Sequence, residues 1–565
     1  MKTRHRVQGY PCLLALAVVL TTASADAQVV RGTVISEGAG VPLRGAVVTL
    51  LDTKGNTVDR RVLTDANGGF AMRAPSAGSW LVEARAIGYA PRRTAPRTVN
   101  PGETVVERIV LRQAATRLAT LRVEAKSACR RLSELDAVTS EVWDDVWAAL
   151  ASAQLAREQR LVRAEVFVYT REMDVSTGLV MREERGVASV LDESPFRTAP
   201  ARELTTLGFW RSSPLGEVEF HGLDAATIIS PEFLAGHCFH LVRRDSARTP
   251  LVGLAFRPVS DRARADVQGN LWLDAESREL RTLEFTYTGL RLRGPAAGGR
   301  LGFTRLPNGV LIDDRWLIQH PFEQGRAVGV QRTGIAAAPD PALPAGTTLR
   351  VGGGFVLADS ARVRQFATVA GLVRKDAVPA DAVAVELLGS GQRFVTDSTG
   401  MFLIQDVLPG TYEVRVMRAG PADRGGFVQH GQLVLAPGDV ARVTLDIPEP
   451  DSIASELCPG KSEGVAPLFV VLREEQSGKP AGGYRVEARW TPPTDSTGAP
   501  LGRPGGVRAL TDWRGEFVAC DVPAGASVRF RTTTGEAQWT LPIPLGGALN
   551  ILEIAADTSG TRRRD

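Results

Sequence analysis

The pattern T-D-x-x-G-x-F occurs three times in this chain, as Thr64–Phe70, Thr396–Phe402 and Thr511–Phe517. A second glycine follows each phenylalanine by eight residues, at Gly78, Gly410 and Gly525. Pro75, Pro409 and Pro523 stand one to three residues before those glycines. An aspartate can accept hydrogen bonds from backbone N–H groups two residues on, and a glycine supplies the positive φ of a tight turn. The motif therefore reads as a β-hairpin whose phenylalanine starts the returning strand and points into a core. Alternation behind it supports this: Phe402, Ile404 and Val407, then Tyr412, Val414 and Val416. Asp65, Gly68 and Phe70, Asp397, Gly400 and Phe402, and Asp512, Gly515 and Phe517 are thus expected as folding devices. A ligand site at the aspartates is the weaker reading, because turn aspartates mostly serve their own backbone.

A chain of 565 residues should hold about three to five domains. Hydrophobic residues make up 44% and charged residues 23%, the balance of ordinary globular protein. The formal net charge of +4 and the short Arg562-Arg563-Arg564 tail argue against a nucleic-acid partner. Residues 1–27 read as a signal peptide: Lys2, Arg4 and Arg6 precede the apolar run Cys12–Leu20, and Ala25-Asp26-Ala27 forms a small-residue cleavage site. No other stretch reaches membrane length. The expected location is therefore the periplasm, the outer-membrane surface or the medium.

Without Cys12, four cysteines remain: Cys129, Cys238, Cys458 and Cys520. An even number suits an oxidising compartment. Three pairings exist, and domain locality favours Cys129–Cys238 with Cys458–Cys520. Zinc ligation competes, but no cysteine has a C-x2-C partner.

In chain order, residues 28–112 carry about seven short strand signals, the density of a two-sheet sandwich. The series Gly32–Val34, Gly45–Leu50, Thr64–Phe70, Pro75–Gly78 and Gly88-Tyr89 resembles the carboxypeptidase regulatory-like domain. That resemblance implies a transthyretin-like (prealbumin-like), Ig-like β-sandwich of the carbohydrate-binding-like group, an accessory module of exported proteins without peptidase activity of its own. Residues 365–448 and 464–556 read as second and third sandwiches. The third is more divergent, with Trp490 and Trp539 as core aromatics and an exposed loop from Thr491 to Gly506. The Ala/Pro-rich composition around 336–346 marks a linker over 336–364.

Residues 128–335 break the pattern. Ser133 or Ser140 could cap a helix to about Arg160, with Trp143, Trp147 and Leu150 spaced for one buried face. Strands follow as an antiparallel meander, and the Gly269–Asp274, Thr282–Tyr287 and Gly309–Trp316 segments resemble lipoprotein-carrier-like half-barrels. The expected fold class is thus mainly β: three sandwiches plus a central α+β domain, one long helix on an antiparallel sheet that this second resemblance would curve.

His320-Pro321-Phe322-Glu323 with His430 imitates a zinc carboxypeptidase ligand set, yet His430 falls beyond the linker and no α/β catalytic domain accompanies it. His237 and His240 flank Cys238, too few ligands for a metal if the cysteine is oxidised. Asp144-Asp145 and Glu183-Glu184 read as solvated like-charge pairs. No catalytic residue, cofactor or metal is expected. The expected function is a non-enzymatic cell-envelope binding or scaffold protein whose partner is an envelope protein or polysaccharide. A lipid or lipoprotein carrier is the alternative; a zinc carboxypeptidase or an outer-membrane receptor fragment ranks below both.

Overall fold

The computed structural model describes residues 28–121, 129–161, 165–188, 196, 198–212, 218–244, 250–259, 265–289, 297–322, 348–357, 365–421, 425–532, 538–544 and 548–556. The signal-peptide segment and Glu323 lie outside these residues. The chain divides into two compact units, one formed by Met1–Ala84 with Pro91–Leu111, the other by Arg85–Ala90 with Arg112–Asp565.

The first unit is a two-sheet sandwich. β1 (Val29–Ser36), β2 (Val47–Leu51), β3 (Thr57–Leu63), β4 (Gly69–Arg73), β5 (Gly78–Arg85), β6 (Arg92–Arg93), β7 (Arg97–Val99) and β8 (Thr104–Leu111) form it. β1 lies between antiparallel β4 and parallel β8. The facing sheet has the order β3-β2-β5-β6, with β7 also on β5. Val30, Val34, Val48, Leu50, Phe70, Met72, Ile109 and Leu111 fill the space between them.

The second unit opens with helix α1 (Ala137–Glu158). Its N-cap is Asp136, whose carboxylate accepts from the Thr139 N–H at 2.8 Å; neither Ser133 nor Ser140 takes that place. Val142, Trp143, Val146, Ala149, Leu150 and Ala153 form the buried face. α1 packs on a nine-stranded, wholly antiparallel sheet: β9 (Glu165–Asp174), β10 (Val180–Ala188), β13 (His237–Arg244), β14 (Leu251–Pro258), β15 (Val267–Asp274), β16 (Leu280–Tyr287), β17 (Gly298–Arg305), β18 (Leu311–Phe322) and β19 (Thr348–Leu357). A small hairpin, β11 (Trp210–Ser212) with β12 (Val218–Phe220), lies outside it. Antiparallel register places Leu241, Leu254, Leu271, Leu283, Leu301 and Trp316 in one row on the helix side. The Trp143 ring lies 5.4 Å from that of Phe239, two residues before Leu241.

The sheet order is β10-β9-β19-β18-β17-β16-β15-β14-β13, so β19 is inserted between β18 and β9. The expected linker over 336–364 is thereby corrected: residues 348–357 within it form an interior strand. Gly352-Gly353-Gly354 imitates flexible chain, but two rings cover it. A Cβ on Gly353 would lie 2.6 Å from Tyr169, and one on Gly354 would lie 2.2 Å from Trp316. Glycine in a strand here marks close approach of aromatic side chains.

Two more sandwiches follow. The first contains β20 (Ala367–Lys375), β21 (Val378–Pro379), β22 (Ala384–Leu387), β23 (Gln392–Val395), β24 (Met401–Val407), β25 (Gly410–Arg418), β26 (Gly420–Pro421), β27 (Phe427–Leu435) and β28 (Val440–Asp446). The other contains β29 (Leu468–Glu474), β30 (Arg485–Thr491), β31 (Gly505–Leu510), β32 (Glu516–Ala519), β33 (Ser527–Thr532), β34 (Gln538–Pro544) and β35 (Asn550–Ala556). β20 lies between antiparallel β24 and parallel β28, as β29 lies between antiparallel β32 and parallel β35. The facing sheets run β23-β22-β25-β27 and β31-β30-β33-β34. All three sandwiches thus share one topology. β26 pairs with β35, outside its own sandwich. Trp490 is buried; the side chain of Trp539 lies outside the described residues.

Disulfides join Cys129 to Cys238 and Cys458 to Cys520, with Cα separations of 5.3 and 5.6 Å.

Candidate binding face and the joints that frame it

The three repeated motifs adopt one geometry. In each, the threonine hydroxyl accepts a backbone N–H and donates to a carbonyl. Thr64 accepts from Ala46 and donates to Leu43, Thr396 accepts from Val383 and donates to Ala380, and Thr511 accepts from Tyr484 and donates to Ala481. Each aspartate accepts two N–H groups of its own turn: Asp65 from Asn67 and Gly69, Asp397 from Thr399 and Met401, Asp512 from Arg514 and Glu516. Gly68, Gly400 and Gly515 have φ of 71°, 73° and 72°. Their carbonyls accept from Val34, Val373 and Leu472 of the opening strands. The threonine hydroxyl and the aspartate carboxylate of each motif thus serve the chain's own backbone.

The histidines raised by the sequence are likewise held by their surroundings. His237 is buried, its Nδ1 2.9 Å from the Phe233 carbonyl and its ring stacked on Phe233 at 3.8 Å. His320 is buried and stacks on Phe220 at 4.8 Å. His430 Nε2 meets Glu516 Oε1 at 3.0 Å, in a different part of the unit. Among the described residues no group of three or more His, Cys, Asp or Glu could hold a metal ion.

Two acidic pairs read as solvated are corrected by the structure. Asp145 and Glu183 are buried. Asp145 accepts from Arg278 Nε at 2.7 Å and from the Gly88 N–H at 2.6 Å. Burial raises its carboxyl to about 6 even against the opposing pull of Arg278. Glu183 accepts from Arg171 Nε at 2.8 Å. Arg171 also donates to the Pro409 carbonyl at 2.6 Å and to the Tyr412 hydroxyl at 2.5 Å. These contacts, with the ring cluster of Phe167, Phe355 and Phe366, seat the second sandwich on the β9–β10–β19 end of the sheet's outer face.

A larger network joins the second and third sandwiches. Arg415, fully buried, donates to Glu386 at 2.6 Å, to Glu516 at 2.5 Å and to the Arg514 carbonyl at 3.1 Å. Arg473 reaches both oxygens of Glu386, at 3.0 and 2.5 Å, and pairs with Glu553. Phe469, Val471 and Ile551 of the third sandwich pack into the second sandwich's core cluster. Burial pushes the Glu386 and Glu516 carboxyls up; hydrogen bonds from Arg473 and His430 and the charge of Arg415 outweigh it and hold both below the ordinary value. Sequence reasoning missed this joint, because Glu386 and Arg415 sit at the outward positions of alternating strands.

Among the described residues, what stays open is the β13–β17 end of the central sheet's outer face. A shallow depression of about 390 Å³ lies there, lined by His240, Arg257, Gln268, Asn270, Glu284 and Thr286 among others. Beside it, Glu284 accepts from Trp272 Nε1 at 3.0 Å, from Arg244 at 2.9 Å and from Arg300. Burial alone would raise the Glu284 carboxyl; those three donors bring it down to about 2. The Arg244 guanidinium lies 4.2 Å above the Trp272 ring. Burial first, and the Arg257 charge second, hold His240 below its ordinary value. The face presents fixed donors and acceptors in a shallow frame, suited to recognition by hydrogen bonds.

Compared with known proteins, residues 29–112 match the model of the carboxypeptidase regulatory-like domain. No curated protein matches the chain. Similar solved structures include the Bacillus anthracis TIE protein, at 7% identity and a TM-score of 0.14 over 94% of this chain and 51% of that one. The chain thus spans about half the length of the TIE protein. They also include BcpA, the major pilin subunit of Bacillus cereus (8% identity, 94% and 100% covered, TM-score 0.14). The shaft pilin SpaA from Lactobacillus rhamnosus GG is similar over 35% of this chain and 99% of its own (12% identity, TM-score 0.13). No helix among the described residues is long and apolar enough to cross a membrane.

Proposed function

We propose that this is an exported, non-enzymatic binding and scaffold protein of the cell envelope. Its ligand, an envelope protein or a polysaccharide, would dock on the open end of the central sheet. The observation that carries the reading is the face around Asn270 and Glu284, open among the described residues, on a sheet whose other end is fixed to the second sandwich by a buried ion network. A fixed frame with preset hydrogen-bonding groups lowers the ordering cost of binding. The module boundaries we propose are 28–112, 128–357, 365–448 and 464–556, which assigns β19 to the central domain. Two disulfides and the basic-apolar N-terminal segment support export.

The carrier reading is disfavoured by the row of leucines and phenylalanines that fills the contact between α1 and the sheet. The decisive experiment is capture from the native envelope with the full oxidised chain as bait, with proteins and glycans identified together. Wild type is expected to retain a ligand that Asn270→Ala with Thr286→Ala releases. Retention unchanged by that pair, or chelator-sensitive turnover of any peptide, would overturn the reading.

A further inference from the structure

The outer face of the β31-β30-β33 sheet, on the third sandwich, is rich in arginine. Arg485 and Arg489 of β30, Arg508 of β31, and Arg529 and Arg531 of β33 are all exposed there. Register places Glu487 between Arg508 and Arg531, and Arg489 directly opposite Arg529. Glu487 is the one acidic residue on these three strands. It is already taken, accepting from Arg489 Nε at 2.7 Å and from Arg508 at 3.3 Å. Arg529 and Arg531 have no partner among the described residues.

The fold does not call for this arrangement. Like charges directly across a sheet are destabilising. In the second sandwich the places of Arg489 and Arg529 are taken by Leu388 and Glu413. That equivalence follows from the motif, since Thr396 and Thr511 accept from Val383 and Tyr484, and from Glu386 pairing with Arg415 as Glu487 pairs with Arg531. Five guanidinium groups and one carboxylate thus share three strands, a width of about 10 Å. The module itself leaves that surplus of positive charge unused.

The internal joint shows what such a face takes. On the second sandwich Glu386 stands between Arg393 and Arg415, as Glu487 stands between Arg508 and Arg531. There the flanking arginines are met by incoming carboxylates. Arg393 forks onto both oxygens of Glu553, at 2.5 and 2.9 Å, and Arg415 donates to Glu516 at 2.5 Å. A planar guanidinium suits a carboxylate in this two-pronged way. The joint also has an apolar centre of Phe469, Val471 and Ile551. The β30 face has none: Leu510, at its corner, is the one large apolar side chain exposed on these strands. A folded partner or a membrane surface would need apolar contact; a chain of charged sugars does not. We propose that this face binds a linear acidic polysaccharide, whose uronate carboxylates are taken by Arg508, Arg529 and Arg531. The surface is separate from the open end of the central sheet, and the inference does not rest on the ligand read there.

Retention of the full, oxidised chain on immobilised polygalacturonate tests it. Wild type is expected to bind, to bind less as salt is added, and to ignore the same polymer with its carboxyls methyl-esterified. Arg529→Gln with Arg531→Gln should weaken retention about tenfold while keeping the wild-type unfolding midpoint. Arg73→Gln with Arg442→Gln removes the same charge from exposed positions on the other two sandwiches, and should leave retention unchanged. The inference is overturned if wild type does not bind, if the esterified polymer binds equally, or if the two double variants behave alike. Tighter binding to duplex DNA, polyglutamate or phosphatidylglycerol vesicles, lost in the Arg529 and Arg531 variant, assigns the face to another occupant and overturns it too.

Discussion

Phe402 lies over Gly371, its Cζ 2.2 Å from where a Cβ on that glycine would stand. The same relationship recurs between Phe70 and Gly32, at 2.9 Å. Gly371→Ala must push the ring out of the core or spread the strands, and should cost about 1–3 kcal/mol in urea unfolding. Gly352→Ala is the control, because nothing stands within 4 Å of its Cβ. That variant should lie within about 0.5 kcal/mol of wild type.

The threonine of the motif is predicted to matter through its hydroxyl. Thr396→Val keeps the shape but strands the Val383 N–H and the Ala380 carbonyl inside the protein. A loss of about 1–3 kcal/mol is expected for such buried, unsatisfied groups. Thr396→Ser should recover most of it. A neutral Thr396→Val would show that the turn is held by its aspartate alone.

Arg415→Met should cost about 3–5 kcal/mol, because it leaves Glu386 and Glu516 buried without their shared cation. The pH response of the joint follows from the same carboxylates. Their folded values lie below the ordinary 4.5, so their contribution is fully present above that value and is lost as pH falls through the depressed folded values. Hydrogen exchange at β22 and β29 should therefore speed up as pH falls below about 4.5, before the central sheet opens. Equal acceleration in both places would refute the assignment.

The Cys458–Cys520 disulfide ties the helix Pro450–Leu457 to the third sandwich across a span of 62 residues. Replacing both cysteines with serine should cost about 2–4 kcal/mol. Protease sites between 450 and 464 should open first. Unchanged cleavage there would mean that Ile453 and Ala454, which are buried, hold the helix unaided.

What the sequence disclosed was local chemistry. Thr64–Phe70 and its two repeats specify turn, cap and core anchor within seven residues, so the sandwiches could be counted before any contact was known. The joints were illegible for the opposite reason. Glu386 and Arg473 are 87 residues apart, and Asp145 and Arg278 are 133 apart. Along the chain each looks like an ordinary outward charge, and only the fold reveals its partner. β19 was hidden because three glycines next to an Ala/Pro-rich stretch imitate a tether, while the rings of Tyr169 and Trp316 that cover Gly353 and Gly354 come from other strands.

That interior strand also sets an order of events. The hairpin of β9 and β10 ends at Ala188, but the partner of β9 on its other side, Thr348–Leu357, is synthesised last of all the strands in its sheet. A chain emerging from its N-terminus would therefore hold an unpaired strand edge until more than half of the protein had been synthesised. Such an edge invites wrong pairing while it waits. The late strand completes the sheet, and everything C-terminal to it then has a surface on which to assemble.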